Sequence, residues 1–101
     1  APLPPGPEKL WELGYRVWAK LHRVAWVRGE HDGRWRELSA SQQGEMDGAI
    51  VMLQEAMDQG HIKAASFVGT IYFWGQGVAV DYPRAMAAYK VGTEGGDATC
   101  Q

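Results

Sequence analysis

The sequence predicts an all-α protein, a right-handed superhelix of antiparallel helical hairpins in the manner of an α/α solenoid. Apolar residues recur at steps of three and four along most of the 101-residue chain, which is the spacing of a buried helix face. Glycines follow these apolar stretches, where helices commonly end. The stretches that end at Gly60 and Gly96, 36 residues apart, are similar to each other, and such a period is typical of stacked helical hairpins.

The composition argues against several classes of protein. The formal net charge of −2 gives no electrostatic reason to expect nucleic acid as a partner. The single cysteine, Cys100, cannot form an internal disulfide. No apolar run approaches the roughly 18 residues of a membrane span, and no signal peptide is visible. We therefore expect no membrane span and favour a cytoplasmic location.

The first part of the chain predicts a tail, a long helix and a loop. Prolines dominate residues 1–7 and favour an extended, polyproline-like tail. Residues 8–28 then carry an apolar stripe that closes near Gly29. The stripe consists of Leu10, Leu13, Val17, Leu21 and Val24, and it is widened by Trp11, Trp18 and Ala25. Residues 8–41 are expected to form this helix and a long connection, either as a cap or as a degenerate first repeat.

The connection contains Glu30, His31 and Asp32, three residues of types that ligate metals. Three neighbours on one loop cannot all point at the same ion without a rigid frame, and the rest of the sequence offers no further set of ligands. We therefore interpret this segment as a solvated loop and expect neither a metal site nor a cofactor.

Three more helices follow. Ser39 with Gln42 three residues later is a capping box, and it predicts a helix that follows Ser39 and ends at Gln59 and Gly60. A third helix is predicted from about Ile62 to Trp74, followed by a tight glycine turn. Asp81 is a good N-cap for a fourth helix, in which the apolar face is predicted to consist of Ala85, Met86, Ala88 and Tyr89.

The internal similarity connects the second and fourth helices. A shift of 36 residues back along the chain takes Ala85, Tyr89 and Gly92 onto Ala49, Leu53 and Ala56. The two helices are therefore interpreted as the same element used twice. Small residues allow helix backbones to approach closely, as hairpin stacking requires, and they are Ala49, Ala56, Ala64, Gly69 and Ala85.

Residues 66–85, with the sequence SFVGTIYFWGQGVAVDYPRA, resemble the core of a Sel-one-like repeat, a relative of the tetratricopeptide repeat. That family has a Leu-Gly and a Tyr in its first helix, a Gly-x-Gly-Val turn, an Asp cap, and then Ala, aromatic and Gly positions. The corresponding residues here are Ala64, Val68, Gly69, Tyr72, Gly75, Gly77, Val78, Asp81, Ala85, Tyr89 and Gly96. Val68 stands where the family has Leu.

The resemblance implies a division of the chain. Residues 61–96 correspond to one complete repeat, 42–60 to the second helix of a preceding repeat, and 97–101 to the start of a further, truncated one. We expect the chain to belong to a longer array. Residues 29–44 lack the Gly-x-Gly-Val turn, and the first helix shows no clear family motif, so the first hairpin departs from the pattern.

The resemblance also implies an adaptor that binds a protein or peptide on the surface lined by its first helices. On the third helix, Lys63, Phe67, Thr70 and Trp74 form a stripe at positions that the family pattern leaves free, and Phe73 borders it. Exposed aromatic side chains often anchor protein interfaces. These five residues are the predicted partner-binding site. The alternative is that they pack against neighbouring repeats or the N-terminal helix.

Other functions fit the sequence less well. Cysteine-rich relatives of this repeat are associated with β-lactam binding or hydrolysis, but this chain has one cysteine and no Ser-x-x-Lys motif. We expect no enzymatic activity and no catalytic residue. A β-lactamase-like hydrolase and a purely structural segment of a longer array remain the alternatives. A basic group on the first helix is interpreted as a solvated face and not as a nucleic-acid site: Arg16, Lys20, Arg23 and Arg28.

Overall fold

The computed structural model describes residues 6–25 and 35–94. These residues form helices α1 (Pro7–Ala25), α2 (Ala40–Asp58), α3 (Ile62–Trp74) and α4 (Tyr82–Glu94), and a short 3₁₀ helix, Trp35–Glu37, precedes α2. The described part of the chain contains no strand. The prediction of an all-α protein is confirmed. The proline tail up to residue 5, Arg28, Gly29, the Glu30–Asp32 loop, Gly96, Cys100 and the segment 97–101 lie outside the described residues.

Consecutive helices pack against each other in chain order, α1 on α2, α2 on α3 and α3 on α4. Lys20 near the end of α1 pairs with Glu45 near the start of α2, so these helices are antiparallel. The amide of Asp81 donates to the carbonyl of Tyr72 at 2.9 Å, because α4 turns back along α3. The result is a pair of antiparallel hairpins, α1 with α2 and α3 with α4.

Polar side chains fix the beginnings of three helices. Ser39 Oγ accepts from the Gln42 amide at 3.1 Å, and Gln42 Oε1 accepts from the Ser39 amide at 2.9 Å, which confirms the predicted capping box. Asp81 Oδ1 accepts from the Arg84 amide at 3.1 Å at the start of α4. At α3 the cap is His61, which the sequence analysis did not identify.

The turn between α3 and α4 depends on two glycines. Gly75 has a φ of 70° and Gly77 a φ of 83°, in the left-handed region that L-residues with a side chain rarely adopt. Gly75 is the C-cap of α3, and its amide donates to the carbonyl of Ile71. The sequence prediction of a tight glycine turn is confirmed, and Val78 packs onto the core beside it.

One cluster of buried side chains contains residues from all four helices. Its members are Leu21, Ala25, Trp35, Met46, Ile50, Leu53, Val68, Ile71, Tyr72, Ala85 and Ala88. A smaller cluster closes the opposite end of the molecule and consists of Leu10, Ala56 and Ala64, one residue each from α1, α2 and α3. Because α3 packs on α2 of the first hairpin as well as on α4 of its own, it is the helix that joins the two hairpins into one core.

Trp35 is the anchor of the connection between α1 and α2. Its side chain is 2% exposed and belongs to the main cluster, so the 3₁₀ helix is held against the core. The burial of Trp35 was not predicted from the sequence, because a single tryptophan between two helices shows no periodicity.

Two predicted stripes need correction. Val24 of α1 is 56% exposed and Met86 of α4 is 60% exposed, although the sequence analysis placed both on apolar faces. On α1 the buried residues are Leu10, Gly14, Leu21 and Ala25, and Val24 lies to one side of them. On α4 the buried residues are Ala85, Ala88 and Gly92, and Met86 lies to one side of them.

Each hairpin has a glycine where its two helices come closest. A Cβ on Gly14 would lie 2.7 Å from Cγ of Leu53, and one on Gly69 would lie 2.6 Å from Cδ1 of Tyr89. Real Cβ atoms almost never approach other atoms so closely, so both sites exclude a side chain. Leu53 and Tyr89 are also the two residues that the 36-residue shift relates.

Gly14→Ala is expected to destabilise the protein by about 1–2 kcal/mol, because the added methyl overlaps the fully buried Leu53 side chain. Gly48→Ala is the matched control, since Gly48 lies inside α2 and a Cβ there meets nothing within 4 Å. The control should stabilise by about 0.5–1 kcal/mol through helix propensity alone. Urea unfolding followed by circular dichroism measures both, and stabilisation by both substitutions would refute the close approach of α1 and α2.

Candidate partner-binding surface

A group of aromatic rings lies where α1 and α3 run side by side. Trp11, Tyr15 and Trp18 share one side of α1, with ring centroids 5.3 Å apart for the first pair and 6.0 Å for the second. Phe67 of α3 contacts all three, at centroid distances of 4.9, 5.6 and 4.9 Å respectively. We call these four residues the aromatic face.

Edge-to-face contacts between the rings stabilise the aromatic face. Phe67 meets Trp11, Tyr15 and Trp18 at interplanar angles of 67°, 84° and 89°, which is the edge-to-face arrangement that aromatic quadrupoles favour. Each such pair contributes about 0.5–1.5 kcal/mol beyond the burial of its area. The rings are therefore held by one another as well as by the helices.

A histidine extends the ring stack at each end. His61 stacks on Trp11 with centroids 5.4 Å apart, and His22 stacks on Trp18 at 4.7 Å, both with planes 23° apart. Nδ1 of His61 accepts from the Ala64 amide at 3.2 Å, so in the neutral ring the proton is on Nε2. Nε2 lies 2.7 Å from Oε2 of Glu8 and donates to it, which ties the start of α1 to the start of α3.

A part-buried hydrogen bond connects α1 to the turn that follows α3. Nε1 of Trp18 donates to Oε1 of Gln76 at 3.0 Å, and Gln76 is only 5% exposed. Gln76 belongs to the glycine turn, so this bond fixes the position of the turn relative to α1. A second bond to the same turn, from Gln43 Nε2 to the Gly77 carbonyl at 2.8 Å, fixes it relative to α2.

Beside the aromatic face is a small, mainly apolar cavity of about 220 Å³, lined by Trp18, Ser66, Phe67 and Thr70. Thr70 Oγ1 donates to the Ser66 carbonyl at 3.0 Å and lies 3.1 Å from the Tyr89 hydroxyl. Tyr15 is 41% exposed and presents its ring to solvent. The cavity has the size and the lining to receive one apolar side chain from another molecule.

The structure separates the predicted binding residues into two groups. Phe67 and Thr70 line the same cavity, and Lys63 is exposed one helical turn before Phe67. Phe73 and Trp74 are half-buried and contact each other at 4.8 Å, and Phe73 also contacts Tyr82 of α4 at 5.3 Å. Phe67 therefore packs on α1, whereas Phe73 lies toward α4. Partner binding by these five residues stays a prediction.

The sequence analysis did not assign the aromatic residues of α1 to the site. The signal was present, because Trp11, Tyr15 and Trp18 stand at i, i+4 and i+7 and must share one helix face. The sequence alone does not show that Phe67 packs on this face, because Phe67 lies about fifty residues further along the chain.

The residues of the predicted repeat signature have packing, turn and capping roles. Five are buried in the core or between helices, namely Ala64, Val68, Gly69, Tyr72 and Ala85. Gly75 and Gly77 form the turn, Val78 packs beside it, Asp81 caps α4 and Tyr89 covers Gly69.

Apart from the cavity beside the aromatic face, a groove of about 470 Å³ runs between α2 and α4. Its lining includes Tyr72 and Arg84. Arg84 Nη1 donates to the Tyr72 hydroxyl at 3.1 Å, and its guanidinium carbon lies 5.0 Å from the centre of the Tyr72 ring. The hydrogen bond to Tyr72 raises the pKa of Arg84 above its ordinary value. Arg84 places a positive charge in the lining of this groove.

Within residues 6–25 and 35–94, no three His, Cys, Asp or Glu side chains form a group that could hold a metal ion. None of the helices in the same part of the chain has both the length and the apolar character of a membrane span. In comparisons with protein-family models, curated proteins and solved structures, nothing matches this chain. The function is therefore inferred from the residues and their geometry.

The bond between Trp18 and Gln76 predicts a coupled pair. Trp18→Phe removes the donor and leaves the buried Gln76 amide unsatisfied, which should cost about 1–3 kcal/mol. Gln76→Leu should also destabilise the protein. The double variant should lose about 1 kcal/mol less stability than the two single losses added together. Urea unfolding of the wild type and the three variants completes this double-mutant cycle. Additive losses would show that the bond does not hold α1 to the turn.

Proposed function

We propose that this protein is an interaction scaffold, built from Sel-one-like helical hairpins in a right-handed α/α solenoid, which binds a protein or peptide partner on the aromatic face. The observation that carries the proposal is the aromatic face itself. Tyr and Trp are enriched among the residues that dominate binding energy at protein interfaces, and here they are grouped and only partly buried.

The rigidity of the aromatic face supports this function. Binding costs free energy when side chains must be ordered on contact, at about 0.5–1.5 kcal/mol for each flexible side chain. Phe67 is held among three rings and Trp18 by its bond to Gln76, so both are already ordered. A partner that docks here therefore gains apolar contact at low entropic cost.

The lining indicates the chemistry of the partner. The cavity beside Phe67 is mainly apolar and accepts one aliphatic or aromatic side chain. Exposed charges of both signs flank the aromatic face at its His61 end, because Glu8 and Lys63 are both exposed there. The partner we propose is a peptide segment with one apolar anchor and polar residues around it. No catalytic residue and no cofactor belong to this proposal.

The Sel-one-like assignment is supported by the residues that the fold requires to be small. Gly69 follows Val68 in α3 and receives Tyr89, and in the same way Gly14 follows Leu13 in α1 and receives Leu53. The first helix therefore carries the Leu-Gly pair of the family pattern, which the sequence analysis did not find. With this pair, each hairpin has a glycine on its first helix that receives a large side chain of its second helix, at corresponding positions.

Tyr15→Ala tests the aromatic face, and Tyr82→Ala is its matched control, because both are exposed helix tyrosines and Tyr82 lies on α4, away from this face. The intact chain, immobilised as bait, should retain a discrete set of proteins or peptides. We expect Tyr15→Ala to lose that set, by at least tenfold in recovery, and Tyr82→Ala to keep it, because only Tyr15 belongs to the docking surface.

Circular dichroism establishes that both variants are folded, and quantitative mass spectrometry measures recovery. Equal recovery by all three proteins would place binding elsewhere. Recovery no higher than that of an unrelated helical bait would contradict the scaffold function.

A further inference from the structure

The aromatic face carries hydrogen-bond donors as well as rings. Trp11 Nε1 and the Tyr15 hydroxyl have no hydrogen-bond partner among residues 6–25 and 35–94. In the same part of the chain every fully buried side-chain nitrogen has a partner, so Trp11 Nε1 reaches solvent. An indole N–H can only donate, and a phenol hydroxyl donates readily. A ligand that complements this face therefore brings hydrogen-bond acceptors together with apolar groups.

Proline-rich segments have this combination. Proline has no N–H, and a polyproline II helix makes no internal hydrogen bonds, so its carbonyls stay open to a donor. An α-helical ligand has already used most of its carbonyls internally. A β-strand ligand adds to the edge of a sheet, and residues 6–25 and 35–94 contain no strand. The partial positive charges of the two donors are therefore complemented by the carbonyls of a proline-rich segment, whose rings dock on aromatic side chains.

The spacing of the rings fits the same kind of segment. Trp11 and Trp18 are separated by about 10.5 Å along the axis of α1, at a rise of about 1.5 Å per residue. A polyproline II helix advances about 9.3 Å in each turn of three residues. Two prolines separated by two residues therefore reach both tryptophans, and Tyr15 lies between them. Phe67 forms the opposite wall, beside the cavity that accepts one apolar side chain.

The position of the aromatic face leaves it open in an array of any length. It lies between α1 and α3, the first helices of the two hairpins, where Phe67 contacts the rings of α1. In a stack of hairpins each one contacts only its neighbours, so a further hairpin would pack on the side of α3 and α4 that faces away from the first hairpin. A preceding hairpin would likewise pack on the far side of α1 and α2. Neither covers the surface between α1 and α3.

We infer that the aromatic face binds a proline-rich segment of another protein in the polyproline II conformation. Two of its prolines pack on Trp11 and Trp18, and its carbonyls accept from Trp11 Nε1 and the Tyr15 hydroxyl. The rings are already ordered and the segment is already extended, so the entropic cost of binding is low on both sides. The inference rests on the proposed scaffold function and names the class of its partner.

Calorimetric titration of the intact chain with a peptide of three Pro-Pro-Leu-Pro units tests the inference. We expect saturable binding, and binding weaker by about tenfold or more for a peptide of equal length in which alanine replaces every proline. Tyr15→Phe keeps the ring and removes only the hydroxyl, so it should weaken binding by about threefold or more. Tyr82→Phe is the matched control, because it removes an exposed hydroxyl of α4, and it should bind as the wild type does.

Equal binding of the two peptides, or binding that Tyr15→Phe leaves unchanged, overturns the inference. So does the absence of binding. If Tyr15→Ala still loses a discrete set of retained proteins in the bait experiment, the scaffold function stands and only the proline-rich class is wrong.

The chain's own prolines at positions 2, 4 and 5 are the other source of such a segment. Replacing Pro2, Pro4 and Pro5 together by serine separates the two sources. Equal binding of the peptide to this variant and to the wild type supports a segment of another protein. Binding to the variant but not to the wild type would show that the chain's own prolines occupy the aromatic face, and would overturn the inference.

Discussion

The placement of α3 against three other helices is the constraint on which the rest of the structure depends. One side of α3 supplies Val68, Ile71 and Tyr72 to the core that it shares with α1, α2 and α4. The Tyr89 ring of α4 packs on Gly69 of α3, where an added Cβ would overlap it. A helix enclosed in this way must be rich in small and apolar residues, and α3 is the most apolar helix of the chain. Both hairpins are therefore parts of one packed unit.

The same placement gives α3 two different outer surfaces. Phe67 contacts Trp18 of α1 and completes the aromatic face, whereas Phe73 contacts Tyr82 of α4. Thr70 lies between these two sides and contacts the Tyr89 hydroxyl. The proposed peptide site therefore lies on the side of α3 that contacts α1.

The sequence predicted the features that local chemistry determines. The capping box at Ser39, the span of α3 and the glycine turn at Gly75 each follow from a few neighbouring residues. The sequence wrongly predicted that Val24 and Met86 lie on apolar packing faces, and both are exposed. Periodicity reveals an apolar face but not which part of it a neighbouring helix covers. The stripe on α3 was predicted from its spacing, but its packing partners on α1 were not, because they depend on tertiary contacts. Partner binding by the stripe stays a prediction.

We infer that α3, which packs on both α2 and α4, joins the two hairpins into a single cooperative core. Equilibrium unfolding in urea, followed in parallel by tryptophan fluorescence and far-ultraviolet circular dichroism, measures this cooperativity. Trp11 and Trp18 report on α1 and Trp74 on α3, whereas circular dichroism reports on all helices. We expect one transition with the same midpoint and slope for both signals. Two separated transitions would show that the hairpins unfold independently and do not share one core.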